Sequence, residues 1–395
     1  MNKKKIIGMI SITIVLLILG SYSYINNKNA MNMEEKIEDN KNIEDYSSAG
    51  NEDNEEIDGK SINEEEVKKE SVKKEIVISF AGDCTLGTDS KFSYDRSLPA
   101  AFINSGKDYS YFMQNVYSTF NEDDYTLVNL ETTLTNSEVK AYKGDGVVFN
   151  FKGPEDYVNI LTKGSIEGVT IANNHIYDYG KEGLEDTVNA LNKNNIDICG
   201  EGYKILKDIK GVKFGFLGYV GWQYSDELKA KITNDINELK DEGAEIVIPY
   251  FHWGLEGEHK PYDVQENLAR FAIDNGADAV IGSHPHVIQS MENYKGKLIA
   301  YSMGNFCFGG NFNPSDKRTL ILQIKANIED DKLVNFEYKV LPAMVSSRSD
   351  LNDYIPTLAD SENKSNILKS LNELSPTLNG NIKDEFFEIE KLEIE

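Results

Sequence analysis

The chain has 395 residues, enough for one large domain or two modest ones with ample core. Its 66 acidic side chains outnumber 41 Lys and Arg, and the formal net charge of -25 argues against a nucleic-acid backbone as partner. The three cysteines, Cys84, Cys199 and Cys307, are odd in number and far apart, which excludes a disulfide framework and the zinc-type Cys spacings; ordinary buried thiols are expected.

The first element is a membrane signal. Lys3, Lys4 and Lys5 precede an uncharged stretch from Ile6 to Ile25 containing Ile-Val-Leu-Leu-Ile-Leu. A spanning helix needs about 20 apolar residues. Residues 1–25 are therefore expected to form a single-pass anchor in the cell membrane, with the chain after it on the extracytoplasmic side. A cleaved signal peptide is the rival, but Ser21-Tyr22-Ser23 is a poor cleavage site.

Residues 26–75 follow as a linker. From Glu34 to Glu75 the net charge is -9, and Tyr46 is the one aromatic. Such a stretch buries too little apolar surface to offset its ordering entropy, so a disordered acidic spacer is expected.

Strands and helices then alternate over a domain at residues 76–345. The apolar runs Ile76–Ala81, Leu127–Leu130, Val169–Ala172, Val212–Leu217, Ile246–Phe251, Ala279–Ile281 and Leu298–Tyr301 read as buried strands. Amphipathic segments lie between them at Tyr111–Phe120, Pro154–Leu161, Leu184–Lys193, Asp226–Lys240 and Val264–Asp274. This alternation predicts an α/β domain with a largely parallel sheet. Thr319–Asn327 and Leu333–Leu341 have no helix between them and predict an antiparallel ending. Residues 346–395 form a C-terminal extension in which only a helix near Asn366–Leu374 is patterned.

All five histidines fall in three short stretches where these strands run out: His175, His252 with His259, and His284 with His286. Asp83 and Glu131 end two other strands. Ligands of open α/β sheets bind at the carboxyl ends of strands. A divalent cation such as Zn, Mn or Fe accepts Asp, Glu, Asn and neutral His together. Asp83, Glu131, Asn174, His252, His284 and His286 are the candidate ligands. Singly, each His is more often structural; their clustering at strand termini weakens that reading.

The stretches Gly-Asp (82–83), Asn-Leu-Glu (129–131), Asn-Asn-His-Ile-Tyr-Asp-Tyr-Gly (173–180), His-Trp-Gly (252–254), Gly-Ala-Asp-Ala-Val-Ile-Gly-Ser-His-Pro-His-Val (276–287) and Tyr-Ser-Met-Gly-Asn-Phe (301–306) resemble the bacterial capsule-synthesis CapA family. That family is associated with poly-γ-glutamate production and related to calcineurin-like metallophosphoesterases. The resemblance runs from about Ile76 to Leu341. It implies a four-layer αββα sandwich of metallophosphoesterase type with a metal site at one edge. It further implies Glu131 as the acid bridging two ions, with Asn174, His252 and His284 around one and Asp83 and His286 around the other. His175 matches the histidine that stabilises the reacting group or protonates the leaving one.

Two positions depart from the metallophosphoesterase pattern. Thr85 stands where a histidine is expected, and Glu131 replaces an Asp, so one firm ion and one labile ion are expected. Asp178 either orients His175 or caps the following helix or turn. Trp253 and Asn305 are weak substrate-contact candidates, the former against a packed indole and the latter, with Ser302, against a pinned turn. His259, with Glu256 and Glu258, belongs to a solvated loop.

Two functions follow as expectations. One is a membrane-anchored extracytoplasmic component of capsule or poly-γ-glutamate production, working with membrane polymer-synthetase subunits. The other is an autonomous metal-dependent hydrolase of phosphoesters or an envelope polymer. Residues 76–395 carry a net charge of -20, which repels an anionic polymer, so contact should be local and metal-assisted, with Lys204–Lys213 and Lys317–Arg318 as candidate basic patches.

Overall fold

The structure, a computed structural model, describes residues 71–390. The expected anchor at residues 1–25 and nearly all of the acidic linker lie outside that range. Among the described residues, no helix is long and apolar enough to cross a membrane.

Alternation of apolar residues starts the fold. In β1 (Lys73–Thr85), Ile76, Ile78 and Phe80 occupy every second position and share one face. The parallel neighbour β2 (Tyr125–Leu130) sets Tyr125 and Leu127 beside them. Short β3 (Thr133–Leu134) and β4 (Lys152–Gly153) pair with each other, while β5 (Gly168–Thr170) and β6 (Asp197–Cys199) extend the parallel run.

A second, six-stranded sheet is built from β7 (Ile205–Ile209), β8 (Val212–Val220), β9 (Ile246–His252), β10 (Val280–Ser283), β11 (Met291–Tyr294) and β12 (Lys297–Ala300). Its order is β11-β12-β10-β9-β8-β7. The chain then returns to the first sheet through β13 (Asn305–Phe308), β14 (Arg318–Glu329), β15 (Lys332–Met344) and β16 (Thr357–Leu358). That sheet has eight strands, ordered β16-β15-β14-β1-β2-β5-β6, with β13 beside the end of β1. β14 and β15 pair antiparallel, as the missing helix between them predicts, and β16 adds antiparallel to β15.

The helices are α1 (Leu98–Asn104), α2 (Tyr117–Asn121), α3 (Val158–Lys163), α4 (Gly180–Lys193), α5 (Asp226–Asp241), α6 (Asp263–Asp274) and α7 (Ser361–Leu374). One buried cluster draws on both sheets, joining Ile78, Phe80 and Leu127 to Phe216, Ile248 and Ile281. A second joins Val128, Leu130 and Val169 to Phe102 of α1, Ile160 of α3 and Leu191 of α4. A third joins Leu217, Val247 and Val280 to Ile236 of α5 and Leu268 of α6. The fold is mixed α/β: the two sheets share one core, and helices pack on their other faces.

Several local expectations need correcting. Tyr111–Phe120 is not one helix. A 3-10 turn at Tyr109–Phe112 and the short α2 replace it, because Phe112, Met113, Val116 and Phe120 all bury in the second cluster and packing overrides a weak helical pattern. α1 was not among the expected helices; it is capped by Ser97, whose hydroxyl accepts from the Ala100 N–H, and has Pro99 in its first turn. α7 begins at Ser361, one turn before the expected Asn366, capped by Asp360. Its Ile367 and Leu371 join the core shared by the sheets, so residues up to 390 pack onto it rather than trailing away.

Asp123, just before β2, offers a stability test. Its carboxylate accepts from the Thr126 hydroxyl at 2.7 Å, yet burial first, with Glu167 and Asp124 nearby, pushes its pKa from 3.8 up to about 7. The folded state therefore holds a proton that the unfolded chain releases between these values. Stability falls as pH rises through that window, and the penalty is complete above it. Asp123→Asn should raise stability by about 1–2 kcal/mol at pH 8 and by almost nothing at pH 4, read from urea midpoints at both.

Candidate metal centre

Carboxyl ends of parallel strands from both sheets converge on one place. β1 delivers Asp83 and β2 leads into Glu131. β5 leads to Asn174 and His175, β9 ends in His252, and β10 leads to His284 and His286. Two glycines allow the close approach. A Cβ on Gly82 would lie 1.8 Å from the Gly304 carbonyl oxygen, and one on Gly282 would lie 2.2 Å from that of Tyr301. Neither position tolerates a side chain.

Glu131 is the centre of the group. It is fully buried, and neither carboxylate oxygen has a hydrogen-bond partner. Its Oε1 lies 3.6 Å from His252 Nε2, 3.8 Å from His286 Nε2 and 4.0 Å from His175 Nε2. A buried, unpaired carboxylate is costly unless something supplies the missing charge. Burial, then the negative charge of Asp83, pushes its pKa well above the usual carboxylate range. Glu131, His284 and His286 place one ligand atom each within 4.8 Å of one another, and Nδ1 of His284 also lacks a partner. A buried carboxylate without a partner, beside imidazoles that offer nitrogen donors, fits a divalent cation.

The surrounding hydrogen bonds fix the rings. His252 Nε2 is 2.7 Å from Asn174 Oδ1, and its Nδ1 is 3.1 Å from Asn129 Nδ2. Burial, with His284 and His286 beside it, holds the His252 pKa well below the usual imidazole value. His284 is lowered to about 3 by burial and by the charge of His286. Burial also opposes charge on His286, but the Glu131 and Asp83 carboxylates outweigh it and push that pKa up to about 10. His284 (φ 98°) and His286 (φ 58°) both take left-handed backbone on either side of Pro285. That conformation costs a non-glycine residue roughly 1–3 kcal/mol and is concentrated at functional sites.

His175 stands at the edge of the group. Its Nδ1 lies 2.7 Å from Asp178 Oδ2, so Asp178 faces the ring, and the residue preceding α4 is Tyr179. Burial outweighs Asp178 and lowers the His175 pKa. A residue with no sequence signal completes this set. Lys143, from the irregular segment between β3 and β4, donates to Asp178 Oδ1 at 2.5 Å and to the Asn174 carbonyl at 3.0 Å.

The other candidates fall elsewhere. Trp253 is fully buried, stacked on Phe251, with its indole N–H donated to the Tyr301 carbonyl, so it does not line the site. The indole at the site is Trp222, 39% exposed, with its ring 4.7 Å from that of His284. Asn305 Oδ1 lies 2.8 Å from His286 Nδ1 and so holds that ring, while the Ser302 hydroxyl donates to the Val287 carbonyl and pins the turn. Thr85 is buried with its hydroxyl unpartnered. His259 faces the Ile288 carbonyl at 3.0 Å, outside the group. Asn129, whose amide donates to Asp83 Oδ1 at 2.7 Å, was legible in principle, since it lies two residues before Glu131 at the end of the same strand. The three cysteines are buried and unbridged.

Residues 77–310 match the family described as bacterial capsule synthesis protein PGA_cap. The chain belongs to this family. The PGA biosynthesis protein CapA of Bacillus subtilis is 32% identical over 250 residues, covering 58% of this chain and 62% of that one. The capsule biosynthesis protein CapA of Bacillus anthracis is 28% identical over 268 residues, covering 62% and 63%. A probable polyglutamine synthesis accessory protein of Mycobacterium tuberculosis is 29% identical over 211 residues, covering 46% and 55%. The match thus spans somewhat less than two thirds of the two Bacillus relatives. Within the PGA_cap match lie Asp83, Glu131, Asn174, His175, His252, His284 and His286.

Proposed function

We propose that this protein is an accessory component of capsule or poly-γ-glutamate production, held on the extracytoplasmic face of the membrane by its N-terminal segment and dependent on a divalent metal ion. The observation that carries the reading is Glu131, a sealed carboxylate without a donor among three imidazoles, in a chain of the PGA_cap family. The paired sheets with helices on their other faces support an αββα arrangement of metallophosphoesterase type. Polymer-synthetase subunits in the membrane are the partners this role requires.

Glu131, His284 and His286, with His252 and Asn174, would hold the ion; Mn, Zn and Fe all suit the donors. A cation of this kind, when bound, polarises phosphoryl or carbonyl oxygens and lowers the pKa of bound water. The chain's own groups are set for proton handling. Asp178 accepts from His175 Nδ1, which leaves Nε2 directed toward Glu131, and the lowered pKa keeps that ring neutral. Lys143 balances the charge of Asp178, so the ring is held without becoming a fixed imidazolium. Trp222 walls the same side and limits what can approach His284.

Polymer contact belongs at this centre. Lys204, Lys207 and Lys210 are bound to Asp235, Asp197 and Asp124, and Arg318 to Asp316, so most of the expected basic patches are paired with acids, while Lys213 and Lys317 reach only carbonyl and amide oxygens. The test is complementation of a strain lacking the gene, with polymer output as the readout. Wild type should restore output and Glu131→Gln should not; equal output from both would remove the metal from the role.

The His175, Asp178 and Lys143 set favours a second reading, autonomous hydrolysis. Purified protein supplied with Mn, Zn or Fe would then cleave a phosphodiester or poly-γ-glutamate, and His175→Ala should lose on the order of 10²-fold or more of the rate. Wild type inert with every ion leaves the accessory role alone.

A further inference from the structure

Two buried acids stand side by side at this centre, and their surroundings are opposite in kind. Glu131 faces imidazole Nε2 atoms and receives no hydrogen bond. Asp83, equally buried, is surrounded by N–H groups. Its Oδ1 accepts from the Asn129 amide at 2.7 Å, its Oδ2 accepts from the His284 backbone N–H at 3.2 Å, and His286 Nδ1 lies 3.3 Å from that same Oδ2.

Accepting on the metal reading above, we propose that the centre takes a single ion and that Asp83 is a positioning residue, which orients His286 and Asn129 without ligating. The N–H groups point their positive ends at both oxygens of Asp83 and take up acceptor sites that it would otherwise offer a cation. The same hydrogen bonds explain the ring of His286. With Nδ1–H facing Asp83 and Asn305 Oδ1, its Nε2 is turned toward Glu131, 3.8 Å away. Metal-ligating histidines commonly donate their other nitrogen to a carboxylate in this way. Asn129 extends the frame, because its amide also reaches His252 Nδ1 at 3.1 Å. Asp83 has little freedom to leave this position. Its backbone N–H donates to the Gly304 carbonyl at 3.1 Å, and Gly82 before it leaves no space for a Cβ.

The experiment loads the full chain with Mn(II), counts ions per chain by elemental analysis and records the electron paramagnetic resonance spectrum. One ion and an isolated-ion spectrum are expected for wild type. Asp83→Asn should still take one ion, with affinity lowered roughly 10- to 100-fold, the usual cost of losing an orienting partner. Glu131→Gln should take none. Two ions with a spin-coupled spectrum in wild type overturns the single-ion assignment, and no ion in folded Asp83→Asn overturns the positioning role, while the metal reading survives either result. Wild type that takes no ion defeats the metal reading itself. The wild-type spectrum decides the stoichiometry even if Asp83→Asn fails to fold.

Discussion

Glu131→Gln is expected to abolish divalent-ion binding and, in metal-free protein, to raise thermal stability. Wild type spends folding energy burying a carboxyl group with no donor, next to a second acid, Asp83. A neutral amide of the same size removes that penalty, worth about 1–2 kcal/mol. Because the Glu131 pKa is raised, the gain grows with pH above the ordinary carboxylate value of 4.5: the folded state resists an ionisation that the unfolded chain accepts. Bound ion reverses the ranking. At a free concentration about 100 times the dissociation constant it stabilises wild type by about 2.7 kcal/mol and leaves the variant unchanged. Calorimetric melts of both proteins, with chelator and with Mn, should therefore cross. Equal shifts on adding metal would place the ion elsewhere.

The second large effect is the pH dependence of metal affinity. In metal-free protein the Glu131 and Asp83 carboxylates push the His286 pKa up to about 10, so the Glu131–His286 pair holds a proton at neutral pH. His252 and His284 have lowered pKa values and are already neutral, so they have no proton to lose. An ion must displace the proton held between Glu131 and His286. Affinity should rise between pH 6 and pH 8 by about 10-fold per unit for the one displaced proton. Calorimetric titrations in buffers of different ionisation enthalpy count the protons released. A flat profile over this range would mean that neither Glu131 nor His286 meets the metal.

The seven residues Asp83, Glu131, Asn174, His175, His252, His284 and His286 were legible because each follows a short apolar run. Such a run marks a buried strand, and a polar residue at its end is left where strands stop burying side chains. Trp253 shares that position, and of its two readings the packed indole is the one that holds. It follows β9 directly, but the packing of Phe251 and Tyr301 draws the indole into the core, and Trp222, from a loop with no pattern, takes the exposed place. Lys143 was invisible, since one lysine in an irregular segment looks like solvated surface until Asp178 is found beneath it.

Local chemistry alone determined nine of the sixteen strands among the described residues, most of the helices, the mixed α/β class and the acids and imidazoles at the site, because periodicity and turn residues act over a few positions. Tertiary structure decided which of those groups are satisfied and which are left wanting. The His284 N–H that occupies Asp83 comes from 201 residues away, while Glu131 receives nothing. Hydrogen-bond satisfaction is a property of the packed neighbourhood, and only folding brings that neighbourhood together.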